Sequence, residues 1–182
     1  MGALILVTGG ARSGKSSFAE QLAEKRGTSV AYIATAQIFD QEMQYRIDLH
    51  RARRPATWQT YEAPFHAERA IRAASAAHGT ILFDCVTMYL SNMFCTMTED
   101  DLSDEHALYE RVRHAVHELI AAVEEPDGVT AVFVTNEVGA GIVPENRLAR
   151  RYRDLAGLAN QQLAAAANEV YAVICGIPVK VK

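Results

Sequence analysis

The chain has 182 residues, 49% of them hydrophobic and 22% charged, with a net charge of −4. That length suits one domain with a core of its own, and no apolar run approaches the roughly 20 residues that cross a bilayer. The negative balance speaks against a general nucleic-acid binder, because phosphate-backbone binding needs a basic face.

Short apolar runs alternate with longer amphipathic segments. Residues 3–8 read as a strand that runs straight into a glycine loop; as an apolar stretch it is too short for a signal peptide, so the expected location is the cytoplasm. A helix is expected over 15–25, a strand over 29–33 and a helix over 41–50. Residues 51–64 hold two prolines, one tryptophan and three arginines, and read as an irregular excursion off the sheet. Next come a helix over 64–77, a strand over 80–83 and a helix over 104–122. A strand over 129–135 leads into a loop, 135–145, with two glycines and a proline. A helix over 146–166 and a strand over 170–174 complete the series. The strands are rich in Val and Ile and flanked by Gly, Asp or Asn. Strand and helix in alternation imply a mostly parallel sheet covered on both faces, in a single α/β domain spanning 1–182. In such sheets ligands bind beyond the carboxyl ends of the strands, which makes the loops there candidates.

Gly9, Gly10, Ala11, Arg12, Ser13, Gly14, Lys15 and Ser16 match G-x-x-x-x-G-K-[ST] in full, between a strand and a helix as the motif requires. The glycines let the backbone turn tightly, so that amides point at phosphate oxygens. The helix that follows adds its positive N-terminal end. Lys15 brings a point charge to the β and γ phosphates, and Ser16 is placed to ligate Mg²⁺. The fold expected is therefore a P-loop NTPase-like three-layer sandwich with a mostly parallel central sheet. Asp84, at the end of an apolar strand, stands where a second carboxylate near Mg²⁺ belongs, or it caps a turn. Glu137, at another strand end, is the alternative.

Arg46, His50, Arg51, Arg53 and Arg54 fall within nine positions of an acidic chain. Helical spacing sets Met43, Ile47 and His50 on one face. Two readings stay open for this cluster. It is a basic surface patch with a half-buried histidine, or a nucleophilic imidazole whose attack on an α-phosphate is supported by arginines. His66, His78, His106, His114 and His117 lack such company and suit solvated or structural roles. Cys85, Cys95 and Cys175 have no paired spacing, which implies reduced, partly buried thiols and neither a disulfide framework nor a zinc site.

The run Leu6 to Ser16 resembles one family closely. So do Tyr32-Ile33-Ala34-Thr35-Ala36, Arg46-Ile47 with His50 and Arg54-Pro55, and Trp58 with Thr60 and Glu62. The likeness continues through Val134-Thr135-Asn136-Glu137-Val138-Gly139, then Gly141 to Asn146, Arg153-Asp154 and Asn160-Gln161. The chain is similar to bifunctional adenosylcobinamide kinase / adenosylcobinamide-phosphate guanylyltransferases of cobalamin biosynthesis. The resemblance implies phosphorylation of adenosylcobinamide by ATP or GTP. It then implies transfer of GMP from GTP through a guanylylated histidine, at the position of His50. Implied nucleotide contacts are residues 9–16, Ala34, Thr35, Ala36, Arg51, Ala52, Arg53, Arg54, Glu62 and Asp84. Glu62 is either an acceptor for guanine or ribose donors or a solvated strand-end carboxylate. A trimer-like homo-oligomer is also implied. Outside this family, the competing expectations are a single-function kinase of a small hydroxylated metabolite and a non-catalytic nucleotide switch.

Overall fold

The computed structural model describes residues 1–27, 29–37 and 41–182. Within residues 41–53 the side chains of Glu42, Met43, Arg46, Ile47, His50 and Arg53 lie outside what it describes. The elements run β1 (Ala3–Gly9), α1 (Lys15–Arg26), β2 (Val30–Ala34), α2 (Gln41–Arg53), β3 (Gln59–Glu62), α3 (Ala67–Ser75) and β4 (Thr80–Asp84). They continue with α4 (Val86–Cys95), α5 (Glu99–Ser103), α6 (Glu105–Glu124), β5 (Thr130–Asn136), α7 (Arg147–Ala166), β6 (Glu169–Ile174) and β7 (Ile177–Lys180). The strands form one sheet in the order β3-β2-β4-β5-β1-β6-β7. All neighbours are parallel except β7, which returns antiparallel along β6.

The apolar runs are continuous because both faces of the sheet are buried, and successive side chains alternate between them. Leu4, Leu6, Ile33, Ile81, Phe83 and Phe133 point to one side, into a core closed by residues of α3, α4, α6 and α7. Ile5, Val7, Tyr32, Leu82, Val132 and Val134 point to the other, against Ala19 and Ala23 of α1. Phe83 stacks on Phe133 with ring centroids 4.6 Å apart. Burying rings of this size supplies much of the drive that holds the central strands in register. The result is the three-layer α/β sandwich expected.

Three sequence expectations need correction. Residues 51–64 are no excursion off the sheet: α2 runs on through Arg53, and Gln59–Glu62 pairs in parallel with β2 as an edge strand. The cysteines are not uniformly part-buried: Cys85 is buried, whereas Cys95 and Cys175 are exposed. The helix expected over 64–77 is shorter, Ala67–Ser75, because the chain enters it through His66 in the left-handed region. By contrast α5, α6 and α7 start where side chains cap them: Thr98, Asp104 and Asn146 each accept from an amide one turn on. Among the described residues no helix is long and apolar enough to cross a membrane.

Candidate active site

Strand register brings the polar candidates to one edge. Ala34 pairs with both Glu62 and Asp84, and Gly9 pairs with both Asn136 and Val173. All lie at the carboxyl ends of parallel strands, where open α/β sheets bind their ligands. The phosphate loop leaves β1 at this edge. Gly14 has φ 92 and leads directly into α1, so glycine is needed there for its left-handed backbone. Arg12, at φ 57, accepts the same region without that freedom. A Cβ on Gly9 would stand 2.5 Å from Ser13 Oγ and 2.7 Å from the Val173 carbonyl oxygen. The first glycine of the motif is therefore set by a close approach to β6.

Lys15 is 91% buried by residue, with 9% exposure, and its ammonium donates to the Gly10 carbonyl at 3.2 Å. Burial pulls it below the ordinary lysine range, while Cys85 and Asp84 push back. Asp84 is thus within electrostatic reach of the loop lysine. Its Oδ2 accepts from the Tyr32 hydroxyl at 2.9 Å. Burial first, and then the Asp84 carboxylate, hold the Tyr32 phenol well above its usual range, so it remains a donor. Over the Tyr32 ring lies the Arg54 guanidinium, 3.6 Å from the centroid, a cation–π contact just beyond the end of α2. Contacts from Arg54 to Tyr32 and from Tyr32 to Asp84 thus bring the arginine segment within electrostatic reach of Lys15 in the phosphate loop.

The other candidates divide by position. Thr35 is fully buried: its hydroxyl donates to the Cys85 carbonyl and accepts from the Cys85 amide, at 2.8 and 2.7 Å. Its carbonyl accepts from Asn92 and its amide donates to the Asp84 carbonyl. With its polar groups so engaged, Thr35 ties the ends of β2 and β4 together, and Ala34 and Ala36 flank that tie half-exposed. Ser16 sits half-buried in the first turn of α1, and Ala11 and Arg12 are exposed at the tip of the loop. Glu62, Arg51 and Ala52 are exposed. The side chains of His50, Arg46 and Arg53 lie outside the described residues, as do those of Met43 and Ile47 expected on the same helix face. Glu137 is exposed and accepts from the Gly139 amide in its own loop at 3.2 Å, whereas Asp84 lies within electrostatic reach of Lys15.

Residues to which the sequence reading gave no site role hold this edge together. Asn136 donates to Thr87 Oγ1 at 2.8 Å, Tyr152 donates to the Thr87 carbonyl at 2.7 Å, and Thr135 donates to Asn160 Oδ1 at 2.7 Å. Asn160 in turn donates to the Asn136 carbonyl at 3.2 Å. The Cys85 thiol, pushed up to about 11 by burial, is a neutral member of the same group, 3.2 Å from Thr87 Oγ1. The available signal was Thr87 and Asn92 inside the apolar stretch Val86–Cys95, since polar groups buried among apolar ones must find partners. Of the remaining histidines, His78 bridges Ser29 Oγ and Gln59 Oε1, at 2.9 and 3.1 Å. His66 and His117 are largely exposed beside glutamates. Among the described residues no group of three or more His, Cys, Asp or Glu side chains is arranged to hold a metal ion.

Known proteins resemble this chain over nearly its whole length. The family profile described as CobU, cobinamide kinase / cobinamide phosphate guanyltransferase, matches residues 5–181. The bifunctional adenosylcobalamin biosynthesis protein CobU of Escherichia coli K12 is 48% identical over 98% of this chain and 99% of its own length. Its namesake in Salmonella typhimurium has the same identity and coverage. The bifunctional adenosylcobalamin biosynthesis protein CobP of Pseudomonas aeruginosa is 41% identical, covering 97% of this chain and 96% of that relative. The solved structure of the RadB recombinase superposes with a TM-score of 0.50 at 14% identity, covering 93% of this chain and 73% of that one. That likeness concerns the P-loop NTPase fold alone. The chain belongs to the cobinamide kinase / cobinamide phosphate guanyltransferase family.

Proposed function

We propose that one domain, residues 1–182, performs both transfers of this family at the carboxyl edge of its sheet, with the phosphate loop holding the triphosphate in each. In the first, the aminopropanol hydroxyl of adenosylcobinamide attacks the γ-phosphorus of ATP or GTP. The bond to the β-phosphate oxygen breaks, and the hydroxyl proton is lost. In the second, a ring nitrogen of His50 attacks the α-phosphorus of GTP, and pyrophosphate leaves. A phosphate oxygen of adenosylcobinamide phosphate then attacks the histidine-bound phosphorus. The P–N bond breaks, giving adenosylcobinamide-GDP and free His50. The observation that carries this reading is the line from Arg54 over Tyr32 to Asp84 beside Lys15. It joins the histidine–arginine segment to the phosphate loop, so one bound triphosphate lies within reach of both.

Lys15 and the loop amides stabilise charge on the β and γ phosphates, whichever phosphorus is attacked. Arg54 and its neighbours Arg51 and Arg53 supply permanent charge at the α-phosphate end. Hard oxygen donors at Ser16 and Asp84 suit Mg²⁺, which takes one or two protein oxygens and leaves its other positions to phosphates and water. When bound, that ion neutralises phosphate charge as the leaving group departs. Ala34, Ala36 and Glu62 border the nucleoside end, Glu62 as acceptor for guanine or ribose donors. We place the enzyme in the cytoplasm as a trimer-like homo-oligomer. Supporting association is the apolar surface of Ile174, Ile177, Val179 and Val181, all exposed.

The test uses GTP labelled in its α-phosphate. A covalent GMP adduct, acid-labile and base-stable, is expected on the peptide that contains His50, and none in His50→Ala. No adduct in the wild type, or an undiminished one in the variant, sinks the guanylylated-histidine step. A kinase-only enzyme gives phosphorylation without the adduct, and a nucleotide switch gives neither product.

A further inference from the structure

The phosphate loop is braced from the far end of the chain. β6 and β7 are joined by Cys175 and Gly176, both in the left-handed region at φ 52 and 82, the two-residue turn that matches the twist of paired strands. From this turn the Gly176 amide donates to the Ser13 carbonyl at 2.8 Å. A Cβ on Gly14 would lie 3.2 Å from Gly176 Cα. The hairpin is itself anchored, because Glu169 accepts from Arg26 of α1, from Tyr171 and from Lys180, at 2.6, 2.6 and 3.1 Å.

We propose that the Cys175–Gly176 turn is a positioning element for the phosphate loop in both transfers. This rests on the reading of residues 9–16 as the triphosphate holder. A glycine-rich loop left to itself spreads its amides over many directions, whereas an anion site needs them convergent. In a trans peptide the carbonyl and the following N–H point opposite ways. Holding the Ser13 carbonyl toward the hairpin therefore turns the Gly14 amide away from it, toward the open side of the loop. One backbone hydrogen bond from an anchored turn sets the orientation of a phosphate-binding peptide; Gly14 is small because the Gly176 backbone lies against it, and Gly176 is glycine for its left-handed φ of 82.

Gly176→Val tests the brace, since a β-branched residue is strained at φ 82. Gly128→Val is its control: Gly128 has φ 74, and a Cβ there meets nothing within 4 Å, so it carries like strain without touching the loop. For Gly176→Val the KM for nucleotide should rise about tenfold or more in both transfers, with kcat changed less. Gly176→Asn, which tolerates the left-handed region, should return KM to within about twofold of wild type. An unchanged KM in Gly176→Val, or an equal rise in Gly128→Val, overturns the proposal. Lys15→Ala separates the two levels. If it raises the nucleotide KM while Gly176→Val does not, only the brace fails; if Lys15→Ala changes nothing, the phosphate-loop reading fails and takes the brace with it. Should Gly176→Val not fold, hydrogen exchange on the wild type decides. GTP should slow exchange at the Gly176 amide together with the loop, and protection of the loop alone overturns the brace.

Discussion

Replacing Gly9 by alanine isolates the close approach between the phosphate loop and β6. The new Cβ would lie 2.7 Å from the Val173 carbonyl oxygen and 2.5 Å from Ser13 Oγ. A serine can turn aside, but Val173 is main chain, paired in register with Gly9 itself, so relief requires a strand to move. Overpacking of this kind costs about 1–3 kcal/mol. In a domain of this size each kcal/mol lowers Tm by about 2–4 °C, which predicts a loss of roughly 2–12 °C. Gly10→Ala is the matched comparison, since a Cβ there meets nothing within 4 Å and its φ lies outside the left-handed region. Restricting the unfolded chain should then leave Tm unchanged or raise it, by up to about 4 °C. Differential scanning calorimetry without nucleotide reads the pair directly, free of any effect on ligand contacts. Equal Tm values for the two variants would refute the close approach as the reason for glycine at position 9.

Tyr32→Phe keeps the ring under Arg54 but removes the donor to Asp84. With about 1.5–3 kcal/mol at stake in a hydrogen bond to a charged group, both transfer rates should fall about tenfold or more; wild-type kcat/KM would show that the bond does not orient the carboxylate. Asn160→Ala leaves the buried Thr135 hydroxyl without its acceptor, so urea unfolding should show a loss of about 1–3 kcal/mol, and an unchanged midpoint would contradict the network. Glu169 is held at about 2, first by the Tyr171 hydroxyl and then by Lys180 and Arg26. A carboxylate depressed on folding stabilises fully above its unfolded value of about 4.3 and progressively less as pH falls toward 2. The urea midpoints of wild type and Glu169→Gln should therefore differ most near neutrality and converge in acid; a gap that widens in acid reverses the assignment.

What could be read from residue order was local. The phosphate loop is contiguous, its glycines and lysine stand in fixed order, and the apolar runs around it are buried on both faces, so their strands declare themselves without a partner. β3 escaped because Gln59–Glu62 is a short, polar edge strand whose identity comes from β2 beside it. α4 escaped because Val86–Cys95 is apolar nearly all round and has no side-chain cap at its start, which hides the helical period. Asp84 was legible as a strand-end carboxylate and already preferred to Glu137, but its hydrogen bond from Tyr32 and its electrostatic reach to Lys15 join residues that no sequence spacing brings together. Thr35 shows the opposite case, a motif residue whose hydroxyl is spent on joining two strand ends.

If both transfers run on one site, as proposed, they make conflicting demands on it. Attack at the γ-phosphorus needs the outer end of the triphosphate open to a large hydroxylated corrinoid, whereas attack at the α-phosphorus needs a nucleophile near the nucleoside end. Moving the triphosphate between steps would mean rebuilding every loop amide contact. A fixed loop, set against β6 and the turn at Gly176, would instead keep the phosphates in place while the attacking groups differ. In the proposed arrangement the developing charge would be met at both ends by fixed groups, Lys15 at the outer phosphates and Arg54 at the inner one, with Tyr32 and Asp84 between them. If so, damage to the holder must impair both reactions together, whereas loss of His50 must spare the kinase and abolish only the second transfer. A variant of Lys15 that lost one activity and kept the other would show that the two steps do not share a holder.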